Sequence, residues 1–211
     1  MQKNKMSNTY NISLGTFGYR VFKRILDILT CTLFFPILLL ISILLLFLNI
    51  FFNKGKIYYI QKRMGKNCKP FYVIKFRTMK TEDTISRKYS DPLEKERITK
   101  LGYLLRRTKI DELPQILNVL KGEMSLIGPR PDYYEHAISF LQYDPLYKSR
   151  HAIRPGISGL SQIRLGYAEG LSATKKKSKI DVYYIKNANI KLDLQILFAT
   201  ILIVLKGFQK N

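Results

Sequence analysis

From Ile28 to Phe52 no residue is charged, and Leu, Ile and Phe dominate. About 20 consecutive apolar residues suffice to carry a helix across a bilayer. The stretch is therefore read as membrane-inserted, and the remaining elements must be arranged around it. A helical pattern begins near Tyr19, where Lys23 and Asp27 stand four apart and are expected to pair on one face. A cleaved signal peptide is a poor fit, because the apolar run is too long and no small-residue cleavage site follows it.

Pro36 sits inside this run. Proline removes a helical hydrogen bond and clashes with the carbonyl four residues back, here that of Thr32, so a break is expected at Pro36. Both flanks are basic. Lys3, Lys5, Arg20, Lys23 and Arg24 precede the run against one acid, Asp27. Lys54, Lys56, Lys62, Arg63, Lys66, Lys69, Lys75, Arg77 and Lys80 follow it with no acid among them. Lys/Arg-rich flanks stay in the cytoplasm. A helix that enters, breaks near Pro36 and returns keeps both flanks inside, and that is the expected topology. The alternative is a kinked single span with its basic N-terminus translocated. The expected division is a flexible tail over 1–19, a re-entrant helix over 20–53 and a cytoplasmic domain over 54–211.

The 36 Lys and Arg against 15 Asp and Glu give a formal net charge of +21. Such an excess implies an anionic partner: nucleic acid, phospholipid headgroups or phosphorylated substrates. Cys31 lies in the apolar run, so no disulfide with Cys68 is expected and a reducing compartment follows. His136 and His151 have no zinc-ligand spacing with those cysteines. Residues 57–79 read as a hairpin, with strands at Ile57–Ile60 and Phe71–Phe76, and Gly65, Asn67 and Pro70 between them. Arg77 and Thr78 end the second strand, where a turn can present a phosphate site. Residues 80–97 read as a charged surface loop, and 98–107 as an apolar-basic helix. Residues 154–159, RPGISG, read as a turn-rich loop carrying the Arg154 guanidinium. The lysines at 175, 176, 177 and 179 fit solvent or anionic headgroups. A final helix over 191–208 has an apolar section too short to span, suited to a core or an interface.

The centre of the chain is 109–132, KIDELPQILNVLKGEMSLIGPRPD. Asp111 and Glu112 stand at the start of a short amphipathic helix whose apolar face is Leu113, Ile116, Leu117 and Leu120. Acids at a helix N-terminus are favoured by its dipole and stay ionised. That suits a nucleophile or a metal ligand; simple capping by Asp111 is the plainer alternative. The chain then turns through Gly128-Pro129-Arg130-Pro131, a rigid corner presenting one guanidinium. Arginine forks match phosphate oxygens in pairs. A carboxylate can itself be the nucleophile in phosphoryl transfer. Adjacent carboxylates can also hold magnesium against a diphosphate. The ingredients point to phosphoryl chemistry at a membrane surface. A non-catalytic basic binder of membranes or nucleic acid is the competing class; it gives no reason for the acid pair among arginines, and no aromatic-rich RNA motif is present.

Several ordered motifs carry a family resemblance: KR--D at 23–27, the proline at 36, Q-R-G at 61–65, KFRTM at 75–79 and RIT at 97–99. DELPQ at 111–115, NVLKGEMSLIGPRP at 118–131, RPGISG at 154–159 and D--Y at 181–184 follow in the same order. From about Val21 to Leu205 the chain resembles the bacterial sugar transferases, the small monotopic phosphoglycosyl transferases that begin glycan assembly. The resemblance implies an α/β, mainly helical fold: a re-entrant membrane helix hairpin plus a small cytoplasmic α/β catalytic domain with interface-lying amphipathic helices. It implies that Asp111 takes sugar-phosphate from a UDP-sugar and releases UMP, with Glu112 completing the dyad. Arg77, Arg106 and Arg130 match the basic positions around the phosphates, and the 129–131 corner lies beside the uridine; Thr78 and Arg154 join the expected substrate-binding set. Polyprenyl phosphate is the implied acceptor and Mg2+ the implied cofactor, held by Asp111 and Glu112. The implied location is the cytoplasmic face of the bacterial inner membrane, with membrane lipids and downstream glycosyltransferases as further partners and no nucleic acid. Two departures stand out: Phe35 where many members carry Ser before the proline, and Lys56 where many carry Pro after Gly. The chain resembles the minimal form of the family, without the several amino-terminal spans of its larger members.

Overall fold

The computed structural model describes residues 15–52, 55–80, 95–166 and 170–205. Residues 1–14 of the expected tail, Lys54, and residues 81–94 of the expected charged loop lie outside the described residues.

The apolar run lies in one helix, α1, Phe17–Phe52, long and apolar enough to cross a membrane. Pro36 lies inside α1, which stays helical on both sides of it. The expected hairpin is therefore not drawn as a break in the helix. An interior proline deletes one hydrogen bond and bends a helix without having to end it. Asp27, Cys31, Leu38, Ser42, Leu45 and Asn49 form a buried stripe down α1 at helical spacing. Leu38 and Leu45 share a core cluster with Phe71, Val73, Phe76, Leu105, Ile116 and Val119. The rest of the helix is bare: only 22% of its most apolar window is buried.

Strands β1, Tyr58–Met64, and β2, Pro70–Phe76, form an antiparallel hairpin in which Lys75 stands opposite Tyr59 and Phe71 opposite Arg63. The strand over 57–60 thus extends further than the apolar residues alone suggested. Asn67 and Cys68 close the hairpin at positive φ. Helix α2, Lys100–Arg107, is capped by Thr99, whose side chain accepts from Gly102 N at 2.9 Å. Gly102 lies so close to the Thr78 carbonyl that a Cβ would overlap it. That approach fixes α2 beside the end of the hairpin.

Helix α3, Gln115–Leu120, is held from both sides. Asn118, fully buried, donates to Tyr72 O and Glu123 Oε2 at 2.7 Å each and accepts from Ile74 N at 3.1 Å. Arg24 of α1 donates to the Val119 and Leu120 carbonyls at the other end, at 2.7 and 3.1 Å. Carbonyls of a last turn lack their usual partners four residues on; Val119 O accepts from Gly122 N at 2.9 Å, Arg24 serves both, and a cation there also suits the dipole.

Strand β3, Ser125–Ile127, pairs in parallel with β4, Gly156–Ser158. Residues 154–159 were expected as a loop; three of them form a strand instead. A three-residue strand is too short to show alternation, and its pairing rests on backbone contact between Gly156 and Gly128. Helices α4, Tyr134–Tyr143, and α5, Pro145–Ser149, follow the corner; α6, Leu160–Leu165, follows β4. Helices α7, Gly170–Lys186, and α8, Ile190–Leu205, complete the described chain. Among the described residues the fold is mainly helical with two small sheets.

Lys23 does not pair with Asp27. It reaches Asp193 of α8 at 2.7 Å, where Tyr19 and Tyr184 also donate, at 2.8 and 2.6 Å. Asp27 instead accepts from Leu126 N at 3.0 Å. A pair four apart on one helix is worth only about 0.3–0.5 kcal/mol, so tertiary partners displace it. Both cysteines are free thiols, as expected. The apolar outer faces of α8 (Leu194, Phe198, Leu205) and α2 (Tyr103, Leu104) are exposed like that of α1.

Asn118 joins β2, α3 and Glu123 through one side chain. Asn118→Leu keeps the volume and strands three buried partners, so the cost is about 3 kcal/mol. The expected fall in Tm is roughly 6–12 °C, measured by thermal denaturation of the detergent-solubilised protein.

Candidate active site

Asp111 and Glu112 lie in a 3-10 turn, Ile110–Glu112, just ahead of α3 rather than in its first turn. Lys109 enters the turn at φ 59°, a left-handed conformation that non-glycine residues rarely adopt. Pro114 then starts α3. The pair is thus presented by a kink, and both acids are buried.

Their environments differ sharply. Glu112 accepts from Lys75 Nζ at 2.7 Å through Oε1 and from Arg130 Nη1 at 3.1 Å through Oε2, and Arg130 Nη2 also grips Oε1. Burial pulls the Glu112 carboxyl upward, but Arg130 and Lys75 outweigh it and hold it well below the usual carboxylate range. Asp111 Oδ1 is buried with no hydrogen-bond partner. Burial, then the charge of Glu112, pushes Asp111 up, against the pull of Lys75, Lys109 and Arg106. Position at a helix start therefore does not settle its ionisation; desolvation weighs more than the short helix beyond it.

Cations crowd this site. Arg63 is half-buried; its Nη1 donates to Pro131 O at 3.3 Å, and its Nη2 bonds Gln61 Oε1. Burial and the neighbouring Arg130 lower its pKa. Burial likewise lowers Lys75, with Glu112 opposing. Arg63, Lys75 and Arg130, with Lys109 and Arg106 nearby, outnumber the two acids, which suits a polyanion such as a diphosphate.

The expected substrate residues divide into those gathered here and those elsewhere. Arg106 Nε donates to Thr78 Oγ1 at 2.8 Å, so these two stand together beside Asp111. Arg130 grips Glu112, with Pro129 and Pro131 buried on either side. Pro129 O accepts from Gly156 N at 3.0 Å, tying the corner to β4. Arg77 takes another direction: its guanidinium packs on the Gly55 backbone just beyond α1. Arg154 is also apart, donating to Gly122 O at 2.7 Å past the far end of α3. It lines a cavity with Arg20, Arg24 and Lys66.

Residue-by-residue reading of the sequence missed Lys75 and Arg63. The signal was strand alternation: Lys75 falls on the same β2 face as buried Val73 and Phe71. It also missed a buried ionic cluster behind the corner. Arg150 pairs with Asp132 and with Asp181, the latter at 2.9 Å, and Lys177 pairs with Asp132. Lys177 shares the buried α7 face of Thr174, Ser178 and Asp181, whereas Lys175, Lys176 and Lys179 are exposed. His151, stacked edge-on to Tyr147, is pushed down to about 3 by burial and by Arg150, and is neutral.

Among the described residues no three His, Cys, Asp or Glu side chains gather as a metal cage. Mg2+ commonly takes one or two carboxylates and completes its shell with phosphates and water. Asp111 has an uncommitted oxygen for that purpose. Both Glu112 oxygens are already taken by Lys75 and Arg130. The donor set fits an ion held through Asp111, and does not fit one shared equally by the two acids.

Comparison with known proteins follows the same residues. The bacterial sugar transferase family matches residues 18–207. A UDP-N-acetylgalactosamine-undecaprenyl-phosphate N-acetylgalactosaminephosphotransferase of Aeromonas hydrophila is 39% identical over 194 residues, 90% of this chain and 45% of that protein. A UDP-glucose:undecaprenyl-phosphate glucose-1-phosphate transferase of Klebsiella pneumoniae is 39% identical over 193 residues, 89% of this chain and 40% of that protein. The chain thus spans less than half the length of these two. The exopolysaccharide production protein PSS of Rhizobium leguminosarum bv. phaseoli is 37% identical over 200 residues, 89% of this chain and 98% of that protein. With nearly its whole described length inside the match, and the acid pair and corner within it, this chain belongs to the bacterial sugar transferase family.

Proposed function

We propose that the chain transfers a sugar-1-phosphate from a UDP-sugar to a polyprenyl phosphate, releasing UMP, through an ester on Asp111. The observation that carries this reading is the asymmetry of the acid pair: one carboxylate locked by two cations, the other buried with a free oxygen. Asp111 attacks the phosphorus that bears the sugar. The bond to the bridging oxygen breaks, UMP leaves with that oxygen, and an aspartyl phospho-sugar remains. The polyprenyl phosphate oxygen then attacks the same phosphorus, the Asp111 oxygen leaves, and a polyprenyl-diphosphate-sugar forms. Glu112 keeps Arg130 and Lys75 in place and sets the charge around the phosphates. A magnesium ion held through Asp111 would neutralise phosphate charge. Two steps let a soluble donor leave before a lipid acceptor arrives.

The reading places the protein at the cytoplasmic face of the bacterial inner membrane, with α1 re-entrant. Its basic flanks support that. So does the packing of α1. The buried stripe from Asp27 to Asn49 covers roughly 33 Å of helix, about the thickness of the hydrocarbon core. At one end Arg24 binds α3; near the other, Ser42 Oγ lies 2.8 Å from the Tyr58 hydroxyl of β1. A perpendicular span would pull these two contact sets to opposite sides of the bilayer. A bent helix lying with its inner face on the domain keeps both.

Three outcomes are expected. Incubation with labelled UDP-sugar and no acceptor gives UMP and a mass adduct on the Asp111 peptide, with ping-pong kinetics once undecaprenyl phosphate is added. Release of UDP, or an intersecting-line pattern with no adduct, sinks the mechanism. Asp111→Asn abolishes turnover by several orders of magnitude while UDP-sugar binding is largely kept.

The same substitution should stabilise the fold. The Asp111 pKa is raised, so wild-type stability is fully present below the unfolded value and is lost as pH rises through the folded one. Asp111→Asn escapes that loss, so its Tm advantage grows from pH 4 towards pH 7. Glu112→Gln strands two buried cations and costs about 3 kcal/mol at neutral pH. Thermal melts of both variants across pH check the contrast; opposite signs are the signature, and a destabilised Asp111→Asn refutes it.

For topology, single cysteines at positions 5 and 56, in a background lacking Cys31 and Cys68, should both resist an impermeant thiol reagent in whole cells. Labelling at position 5 alone shows a true span.

A further inference from the structure

Arg150 follows α5, and its side chain exposes no surface. Its Nε donates to Asp181 Oδ2 at 2.9 Å, its Nη1 pairs with Asp132 Oδ2, and its Nη2 donates to the Arg130 carbonyl at 2.7 Å. One guanidinium thus joins α7 to Arg130 of the corner and to Asp132 just after it. We propose that Arg150 is a positioning residue for the acid pair: by holding the Arg130 carbonyl and Asp132, it sets where the Arg130 fork meets Glu112. The inference rests on the phosphoglycosyl transfer reading only for its kinetic consequences.

The corner around Arg130 is itself stiff. Pro129 and Pro131 flank it, and each fixes its own φ, while a residue before proline is itself restricted. Gly128 N, donating to Ser158 O at 2.8 Å, and Pro129 O, accepting from Gly156 N at 3.0 Å, tie the start of the corner to β4, so the remaining freedom is rotation about that attachment. Asp132 stops that rotation from one side, accepting from Arg150, from Lys177 and from the Tyr147 hydroxyl at 2.8 Å. Arg150 stops it at the Arg130 peptide. Arg63 adds a contact to the Pro131 carbonyl from the hairpin. Arg130 therefore has its main chain clamped from behind and its side chain committed in front.

Stability alone is a weak account of this cluster. Two acids and two bases taken out of water gain little over well-packed apolar residues of the same size. An arginine fork with three separate acceptors does fix direction, which an apolar contact does not. Asp132 and Asp181 outweigh burial and raise the Arg150 pKa, so the fork stays charged across the working range.

The test uses the full chain in detergent or nanodiscs. Arg150→Lys keeps charge but not the fork. Asp193→Asn, in the distant α1–α7–α8 knot, serves as a control matched for lost stability. Both should lower Tm. Arg150→Lys should also raise KM for the UDP-sugar about tenfold with a smaller change in kcat, while Asp193→Asn leaves both near wild type. Normal kinetic constants in Arg150→Lys overturn the proposal, and so does the same kinetic loss in both variants. Should Arg150→Lys fail to fold, Asp132→Asn replaces it, with the same KM rise expected and an unchanged KM overturning. A thermal double-mutant cycle between Arg150→Lys and Glu112→Gln needs no activity. No direct contact joins the two positions, yet the double variant should lose several degrees less than the sum of the singles; strict additivity overturns the positioning role. If the wild type releases no UMP from any UDP-sugar, the transfer reading fails and the cycle still decides the role of Arg150.

Discussion

The Glu112 carboxylate is the contact on which the site's geometry depends. Lys75 reaches it from β2 and Arg130 from the corner, so one side chain fastens a hairpin, a 3-10 turn and the loop after β3. Charges this far out of water are costly unless each is met by a partner in good geometry. That requirement explains the rigidity around them. The antiparallel register holds Lys75 on the inner face, two prolines stiffen the corner, and Lys109 accepts a left-handed backbone so that both acids point into the body. Loosening any of these leaves a buried charge without its counterpart.

Much of this was legible in the chain. The 28–52 run declared one long apolar helix by composition, and the hairpin and the helix after Thr99 follow from alternation and capping. DELPQ and GPRP marked the site because rare local chemistry, adjacent acids and a double-proline corner, is visible one residue at a time. What stayed hidden depends on tertiary pairing. Lys23 looks like the partner of Asp27 until α8 offers Asp193 with two tyrosine hydroxyls beside it. Arg154 looks like a phosphate ligand because it opens a glycine-rich motif, yet the three-residue β4 turns it towards Gly122, past the other end of α3. Lys177 looks like one of four solvated lysines; only its phase on α7, shared with Thr174 and Asp181, sends it inward.

Helix α1 shows why a long apolar run does not by itself fix a topology. Its outward face is Leu, Ile and Phe; its inward stripe includes Asp27, Ser42 and Asn49. Polar side chains in a lipid-facing helix are costly, so they turn towards protein. Here each has a definite acceptor or donor: Leu126 N for Asp27, the Leu38 carbonyl and the Tyr58 hydroxyl for Ser42, the Gly55 carbonyl for Asn49. A helix built only to cross lipid needs no such stripe. The stripe makes α1 one wall of the folded body, so the same helix that offers an apolar outer face also supports α3 and, through it, the acid pair.

For the proposed transfer, the acid pair resolves a conflict between reactivity and ionisation. A carboxylate bound by an arginine fork is reliably charged, but its lone pairs are committed, as those of Glu112 are. A buried carboxylate with no cation near it protonates and cannot attack. Asp111 sits between these limits. Its Oδ1 carries no hydrogen bond, while Lys75, Lys109 and Arg106 act on it as charges and offset part of the desolvation. Adjacent placement matters as well: Glu112 raises Asp111 by its own charge, yet Glu112 is also what holds Lys75 in place to oppose that rise. Removing Glu112 would free two cations rather than simply relieve Asp111. The two acids are therefore unequal by construction of the fold, one fixed as part of the cationic frame and the other left with an uncommitted oxygen, which is what the proposed attack on phosphorus requires.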